Sequence, residues 1–294
     1  MKKRIFFINI IILIIIFIFF IFTLSGFKSN GEILDDKANE EIKYMENKIV
    51  SMMNKMNNIT FSNYVLEKTS KSSNENVQEN TEKSGNSDSN SSDSSQSSNN
   101  SENTLQSNIK YELKNNSILT KNNTQIDWEY LKSDIEAINL EWSNVIIDLH
   151  QLNIKNEDIL SFSNILDQTI INIKEENKVN SLINLANLYA YLPNYLEQFS
   201  DNQEQISIAY IKSNILNSYA LVEQDRWDEV KTEITTAIEN VTTMMNSVNT
   251  STNIQNKISK IYVMLNELNN TINLKDKDLY YIKYKNLMEE LVNF

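Results

Sequence analysis

This chain predicts an all-α fold, and three observations carry the prediction. Glycine (3) and proline (1) are nearly absent from 294 residues, which disfavours folds built on glycine-rich turns, such as sandwiches and nucleotide-binding sheets. From Asp127 onward, apolar residues recur at alternating steps of three and four, the spacing of one helix face. Asp, Asn or Ser stands just before several of these stripes, where a side-chain oxygen can accept a bond from a free amide of the first turn.

The clearest stripe is Trp128, Leu131, Ile135, Ile138, Trp142, Val145, Leu149 and Leu152, with Asp127 as its cap. Two tryptophans in one stripe imply a substantial packed partner. A second helix is expected near Asn156, where Glu157 and Asp158 favour the N-terminal dipole, carrying Ile159, Phe162, Leu166, Ile170 and Ile173. A third is expected from Glu176 to Leu192, where Pro193 removes an amide and should kink or end it. The remaining four follow Asp201, Asp225, Ser251 and Asp276. Short connections predict antiparallel neighbours, so residues 109–294 read as a bundle or array of about seven antiparallel helices.

Upstream, Lys2, Lys3 and Arg4 precede an apolar run from Ile5 to Leu24 interrupted only by Asn9 and Thr23. Twenty residues at about 1.5 Å each match a hydrocarbon core of about 30 Å. Residues 1–27 therefore read as a transmembrane anchor or a signal; the run is longer than the apolar region of a cleaved signal, which favours the anchor, while Thr23 and Ser25 offer only a poor cleavage site. The basic cluster places the rest of the chain outside the membrane. Residues 28–68 hold an amphipathic helix with the stripe Ala38, Ile42, Met45, Ile49, Met52, Met56 and Ile59. It serves either as a dimerising coiled coil or as a surface packed on the distal helices; methionine specifies partners poorly, which favours the second. Ile59, Phe61 and Val65 alternate, as do Ile109, Tyr111 and Leu113, predicting a small strand pair, 59–66 with 109–114. The Ser/Asn-rich tract 69–108 between them is too polar to offset its ordering entropy and is expected to be disordered.

The net charge of −12 argues against nucleic acid, whose phosphates need clustered cations. Zero cysteines exclude disulfides, thiol nucleophiles and thiolate metal sites. His150 is the only histidine, and its place at a helix end suits the dipole better than a triad. No catalytic residue, metal or cofactor is expected. Asp225, Asp228 and Glu229 cluster near Trp227, but acids at a helix start ordinarily serve its free amides. The candidate interaction surface is Tyr191, Tyr195 and Phe199, spaced by four around Pro193, together with Trp227.

The piece from Ser218 through Trp227 and Val230 to Ile234 and Ala237 resembles the turn and second helix of a tetratricopeptide repeat. The likeness covers one hairpin, about residues 214–241, with Val230 where the repeat has a small residue and without its usual large aromatic, Leu and Tyr in the first helix. It implies repeat-like packing of a helical hairpin and no peptide-binding residues. The layout also resembles uncharacterised membrane-anchored or exported helical proteins of low-GC Gram-positive anaerobes, chiefly through residues 115–120 and 181–193. No activity comes with that resemblance.

These readings lead to one expectation: a membrane-tethered, extracytoplasmic helical scaffold or protein-interaction module without enzymatic activity. Residues 5–24 would engage the membrane, and the body a protein or cell-envelope partner. The alternative is an extracytoplasmic binding protein for a small molecule or cell-wall fragment, which would need a closed apolar pocket. A carboxylate-dependent wall hydrolase would need two carboxylates facing each other across a cleft.

Overall fold

The stripes fold as helices. The computed structural model describes residues 30–61, 118–119, 125–246 and 252–294. Among them, eight helices follow in order: α1 (Asn30–Met56), α2 (Trp128–Gln151), α3 (Asn156–Lys174), α4 (Lys178–Phe199), α5 (Gln203–Val222), α6 (Trp227–Met245), α7 (Thr252–Ile272) and α8 (Lys277–Val292). The seven helices expected after Asp127 are α2 to α8. None of the eight is long and apolar enough to cross a membrane; the apolar run 5–24 and the Ser/Asn tract 69–108 lie outside the described residues.

Helix starts use short polar side chains. Asp127 accepts from the Tyr130 amide at 3.0 Å, Asn177 from Asn180 at 3.1 Å, Asn202 from Gln205 at 3.0 Å and Asp276 from Leu279 at 3.0 Å. Helix ends show how a chain poor in glycine turns its corners. Asn58, Asn153, Glu176, Asp225 and Lys275 all adopt positive φ, between 52° and 60°, a conformation that costs a residue with a Cβ about 1–2 kcal/mol. After four of them, the next amide reaches back five residues: Ile59 to Asn54, Ile154 to Leu149, Asn177 to Asn172 and Arg226 to Leu221. This is the Schellman termination.

That termination corrects the expected strand at residue 59. Ile59 and Ile154 occupy the same position after a left-handed asparagine, and both are buried, as the hydrophobic contact of the motif requires. The described part of the proposed strand, residues 59–61, is irregular; residues 62–66 and 109–114 lie outside the described residues. Of the two outcomes expected at Pro193, a kink or an end, the helix does not end there. α4 runs through it to Phe199. Leu192, Tyr195 and Leu196 on either side are buried, and their packing outweighs a lost amide and ring clash of about 3 kcal/mol.

Each helix from α2 to α8 packs against the next, and α5 also packs on α8. α1 lies against α2 and α4 and is fixed by two polar ladders. Toward α2, Lys37 pairs with Asp148 and Lys48 with Asp134, both at 2.6 Å, and Lys55 sits over the Tyr130 ring. Rising numbers on α1 meet falling numbers on α2, so the two are antiparallel. Toward α5, Gln205 donates to Asn39, Lys212 to Glu46 and Tyr219 to the Met53 carbonyl, each pair 166 residues apart. One heptad separates successive pairs, so α1 and α5 run parallel in strict register.

Residues 49 to 54 of α1 are buried on every side, which makes this half a central helix. Met45, Met52, Met53 and Met56 fill the space around it at no more than 1 % exposure, the adaptable packing that thioethers allow. Of the two roles expected for the stripe in 28–68, α1 shows packing on the distal helices. Among the described residues, α1 packs into the same body as α2 and α4, and its buried side chains belong to the same core. With 27 residues at about 1.5 Å each, α1 is about 40 Å long. It begins at the end of the body that holds the starts of α3 and α5 and the finish of α8, and leads to Phe61 at the opposite end.

Candidate functional site

The aromatic row proposed around Pro193 forms, because α4 does not break. Tyr191 and Tyr195 are 6.0 Å apart between ring centroids. The row faces inward, however. Tyr195 is completely buried and stacks on Trp142 at 6.4 Å and Phe162 at 6.2 Å. Its hydroxyl donates to the Asp158 carbonyl at 3.1 Å, and burial pushes the phenol pKa up. Tyr191 packs edge-on against Phe162 at 6.0 Å and is half-buried, as is Phe199. Trp227 is buried in a different place, edge-on to Tyr280 at 6.4 Å. The four residues therefore do not converge on one surface. Two of the three acids around Trp227 are committed too. Asp225 pairs with Lys277 at 3.0 Å, and Glu229 forms an exposed ion pair with Arg226.

At the end of the body where α1 finishes, a polar network binds four helices. Asn57 donates to the Tyr219 hydroxyl at 2.6 Å, and Tyr284 donates to Asn54 at 2.9 Å. Tyr280 and Ser218 share a hydrogen bond at 2.5 Å. Glu223 accepts from the Tyr281 hydroxyl and from Lys178 at 3.1 Å. Burial opposes the charge of Glu223, but Tyr281, Lys178 and Asn57 outweigh it and hold the carboxyl below its ordinary 4.5. Burial also raises the phenol pKa values of Tyr219, Tyr280 and Tyr281, so these hydroxyls remain neutral donors. This network is a fastening for α1, with every group facing a protein partner.

The concave feature lies toward the other end. A cleft of about 440 Å³ opens between the middle of α1, the end of α4, the first half of α5 and the finish of α8. Ile42, Leu196, Ile208, Ala209, Leu291 and Val292 line it, with Phe294 at the chain end. Lys43, Glu204 and the Glu46–Lys212 ion pair add charge to its wall, beside the amides of Asn47, Asn202 and Gln205. Sequence reasoning did not find this cleft. Its residues come from four stretches, and the pairing that frames it, α1 with α5 at an offset of 166 residues, leaves no local pattern. The matching heptads 39, 46, 53 and 205, 212, 219 were the one available signal.

Among the described residues, no group of three or more His, Cys, Asp and Glu is arranged to hold a metal ion. His150 is exposed in the last turn of α2. No family model, curated protein or solved structure matches this chain.

Proposed function

We propose that this protein is a membrane-tethered, extracytoplasmic helical scaffold that engages a protein or cell-envelope partner without enzymatic activity. The observation that carries the reading is the cleft, with its apolar floor and charged wall between α1, α5 and α8. Apolar anchors ringed by polar groups are the usual build of a recognition surface. The apolar run Ile5–Leu24, which ends shortly before α1 begins, supports the tether, and the basic cluster before it supports the orientation.

The alternative, a binding protein for a small molecule or wall fragment, draws on the same cleft. Phe294 there stands with the amides of Asn202 and Gln205, a pairing suited to a glycan face and its hydroxyls. Site-specific photocrosslinking of the full chain in its native envelope separates the two. A probe at Lys43, on the cleft, is expected to capture one defined protein; a probe at Val263, exposed on α7, is not. Equal capture from both positions, or none from Lys43, would sink the scaffold reading. Saturable binding of purified wall disaccharide-peptides, abolished by a bulky substitution at Lys43, would establish the alternative.

A further inference from the structure

At the N-terminal half of α1, its interface with α2 sets two carboxylates against one cation. Glu41 on α1 and Asp148 on α2 are only 8 % and 4 % exposed, and both carboxyl groups meet the same lysine. Ionised carboxylates are acceptors only, so two that crowd one cation can bond to each other only through a proton held between them. Lys37, one turn before Glu41, lies 2.6 Å from Asp148 and 3.5 Å from Glu41. One cation thus faces two acids. Oε2 of Glu41 is buried and has no hydrogen-bond partner.

The neighbouring elements do not supply a second cation. The buried faces of α4 and α5 consist of apolar, hydroxyl and proline side chains, and Lys212 of α5 is taken by Glu46. Farther along α1, Lys48 meets Asp134 one to one. Glu41 and Asp148 are therefore the point of this interface where two carboxylates face one cation.

We propose that Glu41 and Asp148 share one proton, and that this bridge clasps the N-terminal half of α1 to α2 and opens when the proton is lost. Burial, then the contact with Asp148, pushes the Glu41 carboxyl up to about 7 against the pull of Lys37. The hydrogen bond to Asp148 raises the Lys37 pKa, so the lysine keeps its charge throughout. A group whose folded pKa lies above its ordinary 4.5 contributes fully below that value. Its contribution is lost as pH rises through about 7. The other half of α1 is held by Tyr219, Tyr284 and its apolar surroundings, and burial holds the Tyr219 phenol well above its ordinary value. The helix would loosen from its beginning, beside the cleft, and stay fastened at its finish.

Hydrogen exchange of the full chain at about pH 5.5 and pH 8, corrected for intrinsic rates, tests this. Amides of residues 36–47 should lose protection at least tenfold at the higher pH, while those of 50–56 hold. Glu41→Gln, neutral and able to donate one bond, should keep the protection at both. Unchanged protection of 36–47 in the natural chain, or the same loss in Glu41→Gln, would overturn the proposal. Should that variant fail to fold, a carbon-detected titration of Glu41 in the natural chain decides: a midpoint near the ordinary 4.5 sinks the clasp.

Discussion

Two aromatic clusters hold the body together, and they do so differently. In the first, Trp142, Phe162, Tyr191 and Tyr195 pack ring on ring across α2, α3 and α4. One hydroxyl, that of Tyr195, reaches a backbone carbonyl at the cluster's edge. In the second, Tyr219, Tyr280, Tyr281 and Tyr284 also touch ring to ring, but their hydroxyls all enter the network with Asn54, Asn57, Ser218 and Glu223. The first cluster joins consecutive helices and works mainly by excluding water. The second joins α5 and α8 to α1, partners 162 to 230 residues apart. A contact made over such a span repays its closure entropy only if it is specific, and directional hydrogen bonds supply that specificity.

The largest effect should come from truncating either cluster. Tyr195→Ala and Tyr284→Ala each remove a fully buried ring and should cost about 3–5 kcal/mol in chemical denaturation. If Tyr195→Ala instead leaves stability unchanged and abolishes partner binding, the row around Pro193 is a surface after all. Removing only the hydroxyl sharpens the contrast. Tyr219→Phe strands the Met53 carbonyl and the Asn57 amide and should cost about 1–3 kcal/mol. Tyr195→Phe, which frees one part-buried carbonyl, should cost about 1 kcal/mol or less. Equal losses in the two variants would erase the distinction between stacking and network.

A smaller effect is expected from acid. The Glu223 carboxyl is held below 4.5, so its stabilising contribution is present above that pH and is lost as pH falls beneath it. Glu223→Gln should therefore flatten the acid limb of the stability curve between about pH 5 and 3, and an unchanged limb would remove Glu223 from the network's energetics. The least change should follow cleavage within residues 69–108. α1 is pinned to α2, α4, α5 and α8, so the two fragments should co-elute without denaturant. Separation of the N-terminal fragment would show that the second cluster does not hold α1.

Much of the helical layout was legible because its signals are local. Asp127 and Asp276 announce helix starts within three residues of the amides they cap, and each stripe is complete within one helix. Legibility failed where a local pattern had two physical causes. Ile59 and Phe61 alternate as a strand would, yet Ile59 is the apolar residue that closes a left-handed helix end. Pro193 carries a helix-breaking signal that neighbouring burial overrides. At the candidate site, Tyr195 and Trp227 were visible as aromatic residues, but which way they face depends on helices they pack against. The cleft left no signal within any one segment.

By itself, then, the sequence determined the class of fold, the number of helices after Asp127 and most of their starts, since these depend on periodicity and first-turn hydrogen bonds. Tertiary structure decided where α1 packs and made its second half a central helix. It also turned the Pro193 row inward, set α1 parallel to α5 at an offset of 166 residues, and brought Glu41 against Asp148. Each of these depends on which distant surfaces meet. That choice is made by the summed burial and pairing of many side chains, which no single stretch of chain records.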